Sequence, residues 1–284
     1  MVYELRQVNV NYSGRSALSN IDCRIEEGRW ISIIGHTGAG KSTFVKTLKG
    51  LIPDFQGDYL IDGQPVPRDT KGQVKVIPDI GFVFQYPEHQ LFETTVYKEL
   101  AFAPKMLGYS SGQIKQAIEQ ILPQMGLQRE ILPLSPLQLS GGQKRLVAIA
   151  SVLLMNPGLL IVDEPTAGLD PVNRAAMLRM LKAWQQQDNR TLLCISHQME
   201  DVAEYSDEVM VFHEGRLRGH ESARILFFEK PELLERAGLP LPEPVQLLRL
   251  TEELCGQRIE VASCREGDII QALAPIWQRR GVLA

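Results

Sequence analysis

The sequence predicts an α/β protein with a mostly parallel sheet, an antiparallel β part, a helical subdomain and a small helical region at the C-terminus. Short apolar strands alternate with helical segments over much of the chain, which is typical of a parallel sheet covered by helices. A strand, a glycine-rich turn and a helix follow one another around Gly35. A long helical stretch from Thr95 to roughly Pro157 interrupts the alternation.

Each strand is indicated by alternation or by a short apolar run. The predicted strands are, in order, Val2–Tyr12, Ala17–Ile25, Trp30–Ile34, Asp58–Ile61, Gln64–Val66, Ile80–Phe84, Leu159–Val162, Thr191–Ile195 and Glu208–Phe212. Asp62-Gly63 is a strong hairpin-turn signal between the fourth and the fifth of them.

The helices are indicated by apolar periodicity and by capping residues. The predicted helices are Ser42–Gly50, several within the stretch from Thr95 to Pro157, Pro171–Gln187 and Gln198–Tyr205. Within the long stretch, Ser110, Ser135 and Ser140 are expected to be N-caps. Beyond about Gly219 we expect helices separated by a proline-marked linker, with prolines at Pro231, Pro240, Pro242 and Pro244.

Composition excludes several classes of protein. The 284 residues carry a formal net charge of −4 with acids and bases interspersed, so no nucleic-acid ligand is expected. The longest nearly unbroken apolar run, Leu146 to Met155, is about half of what crosses a bilayer. No basic-then-apolar signal opens the chain, so we expect a soluble, unexported protein whose membrane contact comes through a partner. The cysteines, Cys23, Cys194, Cys255 and Cys264, lack metal-like spacing and are expected to be buried free thiols.

A glycine-rich segment after the third strand fits the phosphate-binding pattern G-x-x-x-x-G-K-[ST]. Its glycines let backbone N–H groups turn towards phosphate oxygens, and the helix that follows adds a favourable partial charge. Lys41 supplies a cation for the β- and γ-phosphates, and the Ser42 hydroxyl can ligate Mg²⁺. The predicted nucleotide-binding residues here are Gly35, His36, Thr37, Gly38, Ala39, Gly40, Lys41, Ser42 and Thr43, although the side chain of His36 has no assigned role.

Two carboxylates follow the buried strand at Leu159–Val162. Asp163 suits Mg²⁺ bound through its water shell, as the second acidic motif of phosphate-loop ATPases does. Glu164 offers the proton acceptor that an attacking water needs. The sequence therefore predicts a magnesium-dependent nucleotide site.

A second glycine-containing helix start lies about a hundred residues after the phosphate loop, in the run Leu139-Ser140-Gly141-Gly142-Gln143. Ser140 is expected to cap the helix that continues to about Met155, which creates a second anion-binding helix end. The alternative is that Ser140 only caps a core helix. Two glycines at the start of the helix favour close backbone approach to a ligand.

This combination of motifs resembles the ATP-binding-cassette (ABC) ATPases, and the resemblance covers about Val2 to Gly219. It implies ATP and Mg²⁺ as ligands, with Mg²⁺ at Ser42, Gln85 and Asp163. It implies that Glu164 polarises the attacking water, that His197 contacts the γ-phosphate, and that Gln85 also reaches the water. Tyr12 matches the aromatic residue that stacks on adenine.

The same resemblance implies that one chain does not complete a site. In ABC ATPases the glycine-containing helix belongs to an insertion that caps the nucleotide of a second subunit. Ser140, Gly141, Gly142 and Gln143 would therefore bind the partner's ATP. Ala167-Gly168-Leu169-Asp170 resembles the loop that links the two sites across that interface.

Two finer features resemble the energy-coupling-factor (ECF) and cobalt-type importer ATPases. These are the segment Phe84–Phe92 followed by Ala101-Phe102-Ala103-Pro104, and Gly35-His36-Thr37-Gly38, which is similar to the second of two paralogous ECF ATPases. The resemblance implies a heterodimer with a sister ATPase, a transmembrane coupling protein and a substrate-binding membrane protein. It also implies a peripheral position on the cytoplasmic side of the cell membrane, powering uptake of a vitamin or metal ion.

Several alternatives remain at this stage. The chain could serve another ABC importer branch, act as a soluble ABC ATPase on ribosomes or DNA, or be a non-catalytic partner. Tyr86, Leu91 and Phe92 either form a docking surface for a partner helix or tuck into the helical insertion. We expect an ATPase domain over residues 1–220, with its helical subdomain at about 93–157, and a C-terminal helical region over 221–284 that serves dimerisation.

Overall fold

The computed structural model describes residues 1–12 and 14–279 and contains two sheets. One has four antiparallel strands in the order β2-β1-β4-β5, and the other has six in the order β10-β9-β3-β8-β7-β6. The strands are β1 Tyr3–Tyr12, β2 Arg15–Ile25, β3 Trp30–Ile34, β4 Gln56–Ile61, β5 Gln64–Pro65, β6 Ile80–Val83, β7 Leu159–Asp163, β8 Thr191–Ile195, β9 Glu208–His213 and β10 Arg216–Ser222. The α/β class with a mostly parallel sheet is confirmed.

The helices cover the larger sheet and form the insertion between β6 and β7. They are α1 Lys41–Lys49, α2 Val96–Met106, α3 Ser111–Gln124, α4 Gly141–Leu153, α5 Pro171–Gln186, α6 Met199–Tyr205, α7 Glu232–Arg236, α8 Glu243–Cys255 and α9 Glu266–Arg279. Short 3₁₀ segments lie at Pro87–Gln90, Arg129–Ile131, Pro136–Gln138 and Gln187–Asn189, and a π-helical turn at Ile225–Glu229.

The parallel strands bring the sequence motifs to one edge of the larger sheet. β3 pairs with β8 and β9, and β7 pairs with β6 and β8, all in parallel register. Carboxyl ends of parallel strands lie at the same edge, where ligand sites of such sheets form. The segments after β3, β6, β7 and β8 therefore converge there, although they are far apart in sequence.

The predicted hairpin and capping residues are confirmed. Asp62 and Gly63 have φ values of 50° and 76°, as a two-residue hairpin turn requires. Ser110, Ser135 and Ser140 each accept a hydrogen bond from a backbone N–H of the turn that they start. In each case a glutamine three residues later closes a capping box, which fixes where the helical turn begins.

The C-terminal prediction was wrong in one respect, because the pattern indicated no strand after Phe212, yet β10 runs to Ser222 and pairs antiparallel with β9. A stretch without helix or strand at residues 239–242, which includes Pro240 and Pro242, separates α7 from α8, as the proline-marked linker predicted. Pro231 and Pro242 are also the N-caps of α7 and α8, positions that tolerate a missing N–H.

The C-terminal helices share a core with the larger sheet. Leu226, Phe227, Val245 and Leu273 are fully or almost fully buried in one apolar cluster together with Val211 of β9. Burial of these side chains stabilises the attachment by roughly 1.5–3 kcal/mol each. The region beyond β10 is therefore packed on the larger sheet.

The burial of the cysteines and the lengths of the helices can be compared with the sequence-based expectations. Cys194 and Cys264 are buried, whereas Cys23 and Cys255 are only partly buried, so the expectation of four buried thiols was wrong for two of them. No described helix is long and apolar enough to cross a membrane.

Candidate functional site

The phosphate loop joins β3 to α1 and is held by close backbone packing. Gly40 has φ 102°, and a Cβ there would lie 2.9 Å from the Ala17 carbonyl oxygen. The Gly215 N–H donates to the Ala39 carbonyl at 3.0 Å, and the Ser19 N–H donates to the Gly215 carbonyl at 2.8 Å. Only glycine combines this backbone conformation with such close approach. The loop is thus fixed between β2 and the β9–β10 turn.

Lys41 is buried, with 6% of its surface exposed. Its Nζ donates to the carbonyl oxygens of Gly35 at 2.6 Å and His36 at 3.0 Å. Burial lowers the pKa of Lys41, while the negative charges of Glu164 and Asp163 oppose that shift. The ammonium group therefore lies inside the loop, where it can reach a phosphate.

Ser42 and Asp163 bring two oxygen groups together. The Ser42 Oγ donates to Asp163 Oδ2 at 3.3 Å. Burial raises the pKa of Asp163, and the hydrogen bond from Ser42 opposes the rise. Hydroxyl and carboxylate oxygens are ligands that Mg²⁺ prefers, so these residues fit the cation that the motifs imply.

Glu164 follows β7 and contacts residues that follow the two neighbouring strands, β6 and β8. Its φ of 50° is unusual for a residue with a side chain, and its N–H donates to the Ile195 carbonyl at 3.2 Å. One carboxylate oxygen accepts from Gln85 Nε2 at 2.9 Å. The other lies 2.8 Å from His197 Nε2. Glu164 is therefore in direct contact with Gln85 and with His197, the other two residues predicted to be catalytic.

A cavity of about 850 Å³ opens over these groups. The predicted residues that line it are Thr37, Gly38, Gly40, Lys41, Ser42, Thr43, Gln85, Glu164 and His197. Sequence reasoning missed Ser16, Ala17, Glu214 and Gly215, which also line it. The signal for Glu214-Gly215 was a polar residue followed by glycine after a buried strand, which is typical of a hairpin turn.

Five residues that were predicted for this site do not line the cavity. They are Tyr12, Asp163 and the loop residues Gly35, His36 and Ala39. The ring of His36 instead faces Gly238, where an added Cβ would lie 2.5 Å from His36 Nε2. Tyr12, at the end of β1, is 48% exposed.

The run Leu139-Ser140-Gly141-Gly142-Gln143, called the signature segment from here on, lies at the start of α4. The Ser140 Oγ accepts from the Gln143 N–H at 3.2 Å, while the Gln143 side chain accepts from the Ser140 N–H at 3.1 Å. Gly141 and Gly142 lie at the start of the helix, and a Cβ added at either would meet no described atom within 4 Å outside its own helix. The fold itself does not require glycine at these positions.

A second cavity, of about 730 Å³, lies beside the signature segment. Ser140, Gly142, Gln143 and Asp170 are among its lining residues. Asp170 also caps α5 by accepting from the N–H groups of Val172 and Asn173, and hydrogen bonds from Asn173 are the main cause of its lowered pKa. Within the described residues this cavity and the phosphate-loop cavity have no lining residue in common.

Known proteins share this sequence and architecture. The family model described as ABC transporter matches residues 18–167. The energy-coupling factor transporter ATP-binding protein EcfA2 of Bacillus subtilis is 42% identical over 246 residues, covering 86% of this chain and 89% of that protein. The protein of the same name from Clostridium perfringens is 41% identical, covering 82% of each chain.

Solved structures of ABC proteins are similar to this chain as well. One is cbiO1 from Clostridium perfringens, part of the ABC transporter complex cbiONQ, with a TM-score of 0.73 and 34% identity over 87% of this chain and 98% of that chain. Another is a dimeric ATP-binding cassette bound to ADP and Pi, with a TM-score of 0.67 and 26% identity over 79% of this chain and 99% of that chain. Given the extent and level of this similarity, the chain belongs to the ABC transporter family of nucleotide-binding ATPases.

Proposed function

We propose that this chain is an ATP-hydrolysing subunit of an ECF-type importer. The observation that carries the proposal is the separation of the signature cavity from the phosphate-loop cavity. One chain presents two half-sites, each with a helix start suited to an anion. The curated relatives named as ECF transporter ATP-binding proteins support the branch.

The reaction proposed is attack of water on the γ-phosphate of ATP. Glu164 is proposed as the proton acceptor, because its carboxylate lies at the phosphate-loop cavity and general-base catalysis needs such a group within hydrogen-bond reach. His197 and Gln85 hold the two oxygens of that carboxylate. Both are proposed to orient it, and His197 to contact the γ-phosphate.

The nucleotide would be held by the phosphate loop, with Lys41 on the β- and γ-phosphates. Ser42, Asp163 and Gln85 are proposed to hold Mg²⁺, which supplies charge neutralisation of the phosphates when bound. Tyr12 is proposed to stack on the adenine. Lys41, Ser42 and Gln85 line the cavity described above, and Asp163 accepts a hydrogen bond from Ser42.

The assembly proposed is a dimer with a paralogous ATPase, a transmembrane coupling protein and a substrate-binding membrane protein. The similar cbiO1 chain of Clostridium perfringens is part of a transporter complex, which supports a partnered assembly. In the proposed dimer, Ser140, Gly141, Gly142 and Gln143 face the partner's nucleotide, and Asp170 lies at the same interface. The chain would then be peripheral at the cytoplasmic side of the cell membrane, powering uptake of a vitamin or metal ion.

A docking surface for the coupling protein is proposed directly after Gln85. Tyr86 and Phe92 are 45% and 64% exposed, whereas Leu91 packs against the helical subdomain's core. Phe92 meets the exposed Phe102 edge to face, with ring centroids 4.9 Å apart. An aromatic pair at the surface is suited to anchor a partner helix.

The division into units is proposed as an ATPase domain over residues 1–220, with a helical subdomain at about 93–157, and a C-terminal region over 221–284. The exposed Leu247, Leu250 and Ile270 lie on α8 and α9. Such a surface on the C-terminal region supports the proposed role in dimerisation.

The test is co-expression with the products of neighbouring reading frames. A sister ATPase and a multi-span coupling protein should co-purify with this chain and hydrolyse ATP in proportion to solute uptake in vesicles. Neighbours that include a soluble solute-binding protein would favour another importer branch. Full ATPase activity of the chain alone, with no membrane partner in the purified assembly, would favour a soluble ABC ATPase.

A further inference from the structure

We infer that Arg145 is a positioning residue that links the segment after Gln85 to the loop carrying Glu164. The inference rests on the proposed function and extends it to the way a membrane partner would act on hydrolysis. Arg145 lies in α4, five residues after Ser140, and its side chain is 7% exposed. Its side-chain hydrogen bonds go to Glu88, Pro165 and Ala167, so its role would be exerted through other residues.

The guanidinium group bridges two segments that are distant in sequence. Its Nε donates to Glu88 Oε2 at 3.1 Å and its Nη2 to Glu88 Oε1 at 2.9 Å. Its Nη1 donates to the Ala167 carbonyl at 2.7 Å and, more weakly, to the Pro165 carbonyl at 3.4 Å. A planar group with five N–H donors can satisfy this set of acceptors, and an ammonium group cannot.

The pair with Glu88 is protected from solvent. The side chain of Glu88 is 16% exposed. Burial acts to raise the pKa of Glu88, but the hydrogen bonds from Arg145 and from the backbone, together with the nearby charge of Arg145 and a smaller contribution from His89, leave that pKa below its ordinary value. Charge-assisted, bidentate contacts of this kind fix geometry as well as contributing energy.

On one side the bridge begins at the proposed docking surface. Glu88 lies in the 3₁₀ turn Pro87–Gln90, which separates Tyr86 from Phe92 in sequence, and the side chains of both aromatic residues are exposed. Tyr86 has φ 55°, in the left-handed region that few residues with side chains adopt. A helix seated on Tyr86 and Phe92 would therefore set the position of Glu88.

On its other side, Arg145 contacts the turn that follows the proposed base, Glu164. The Ala167 N–H donates to the Glu164 carbonyl at 3.1 Å, so the carbonyl held by Arg145 belongs to the turn that follows Glu164. The same loop continues to Asp170 at the proposed dimer interface. One buried side chain thus connects the docking surface, α4 and the turn after the proposed base.

A matched control exists elsewhere in the fold. Arg174 Nε donates to both carboxylate oxygens of Asp201, at 3.1 and 2.9 Å, and joins α5 to α6. This pair is also partly buried, with side chains 26% and 14% exposed. Within the described residues, the hydrogen bonds of this pair's side chains involve neither the turn after Glu164 nor the segment after Gln85. A variant that disrupts this pair therefore measures how much thermal stability is lost with a partly buried arginine–carboxylate pair that is not expected to affect hydrolysis.

The experiment compares Arg145→Lys, Glu88→Gln and the double variant with Arg174→Lys, in the assembly with the sister ATPase and the membrane partners. Thermal stability, ATP affinity and steady-state kinetics are measured for each. We expect Arg145→Lys and Glu88→Gln to bind ATP within about twofold of wild type while kcat and its stimulation by the membrane partners fall by about 5- to 30-fold. The double variant should be no worse than the more impaired single variant.

The Arg174→Lys control should lower thermal stability by a similar amount and leave kcat within about twofold of wild type. The inference is overturned if Arg145→Lys and Glu88→Gln retain wild-type kcat, or if their kcat falls only as far as that of the control. It is also overturned if the losses of the two single variants simply multiply in the double variant. If Arg145→Lys does not fold, Glu88→Gln, which keeps the side chain's size, decides alone.

Failure of the proposed function is distinguishable from failure of this inference. If the wild-type chain does not assemble with membrane partners, the ECF proposal fails. The basal kcat of the variants in whichever ATPase dimer forms then tests the link between Arg145 and Glu164. A normal basal kcat for both variants in that dimer overturns the link as well.

Discussion

His197 Nε2 lies 2.8 Å from Glu164 Oε1, which joins the segment after β8 to the end of β7. The other carboxylate oxygen of Glu164 accepts from Gln85, after β6. The proposed base is therefore held by side chains that follow β6 and β8, the two strands on either side of β7. Pre-positioned groups of this kind lower the cost of organising a reaction.

Replacing Glu164 with glutamine should separate binding from hydrolysis. The amide keeps the shape of the side chain but removes the proton acceptor, so hydrolysis should fall by about 10²–10⁴-fold while ATP binding survives. Because the γ-phosphate then persists, a closed dimer should accumulate in ATP and Mg²⁺. Phosphate release and size-exclusion chromatography measure both effects. A near wild-type hydrolysis rate with the partner present would show that Glu164 is not the base.

Lys41→Ala and Ser140→Arg should impair two different steps. Lys41→Ala removes the cation of the phosphate loop and should weaken ATP binding to this chain. Ser140→Arg should leave that binding intact but block ATP-driven dimerisation, because it places bulk and charge in the separate signature cavity. Equal loss of ATP affinity in both variants would contradict the two-chain model. Nucleotide titration and light scattering measure the two quantities.

Ser110→Arg is the control for Ser140→Arg. Ser110 caps α3 with the same type of capping box, so both substitutions remove an N-cap worth about 0.5–2 kcal/mol. Ser110 lines neither of the two cavities. The control should lose thermal stability but dimerise normally in ATP. Failure of both variants to dimerise would indicate that loss of the cap is sufficient.

Phe92→Asp should disrupt the proposed docking surface without affecting the nucleotide site. An unpaired charge buried in such a contact costs about 2 kcal/mol or more. The variant should fold and bind ATP yet fail to co-purify with the membrane component or to support uptake. Val76→Asp, at a 51% exposed position before β6, is the matched control and should assemble. Normal assembly and transport of Phe92→Asp would place the docking surface elsewhere.

The thiols should react in an order set by burial. Burial raises the pKa of Cys264 to about 11 and raises that of Cys194 further, so little thiolate of either forms near pH 8. Cys255, partly exposed at the end of α8, should be alkylated first. Peptide mass spectrometry before and after denaturation measures the order. Equal modification of Cys264 and Cys255 in the folded protein would contradict this packing.

The sequence by itself determined the local parts of the site. The phosphate loop, the carboxylates that end β7 and the three serine caps each depend on residues within one turn or one strand end. Such features were predictable because their backbone conformation follows from neighbouring residues. The alternation of strands and helices also predicted the parallel sheet itself.

Other features depend on contacts between residues that are far apart in the sequence, and only the tertiary structure shows them. The strand β10 was not predicted because its pairing with β9, rather than its own pattern, makes it a strand. Pro231 and Pro242 are the N-caps of α7 and α8, two helices that bury apolar side chains against the larger sheet. The contact between Glu88 and Arg145, 57 residues apart in sequence, likewise arises only when the insertion folds over the end of β7. The spacing of the motifs does not determine that Arg145 pairs with Glu88, nor that the phosphate-loop cavity and the signature cavity are separate. Both features depend on how the helices and strands pack against one another.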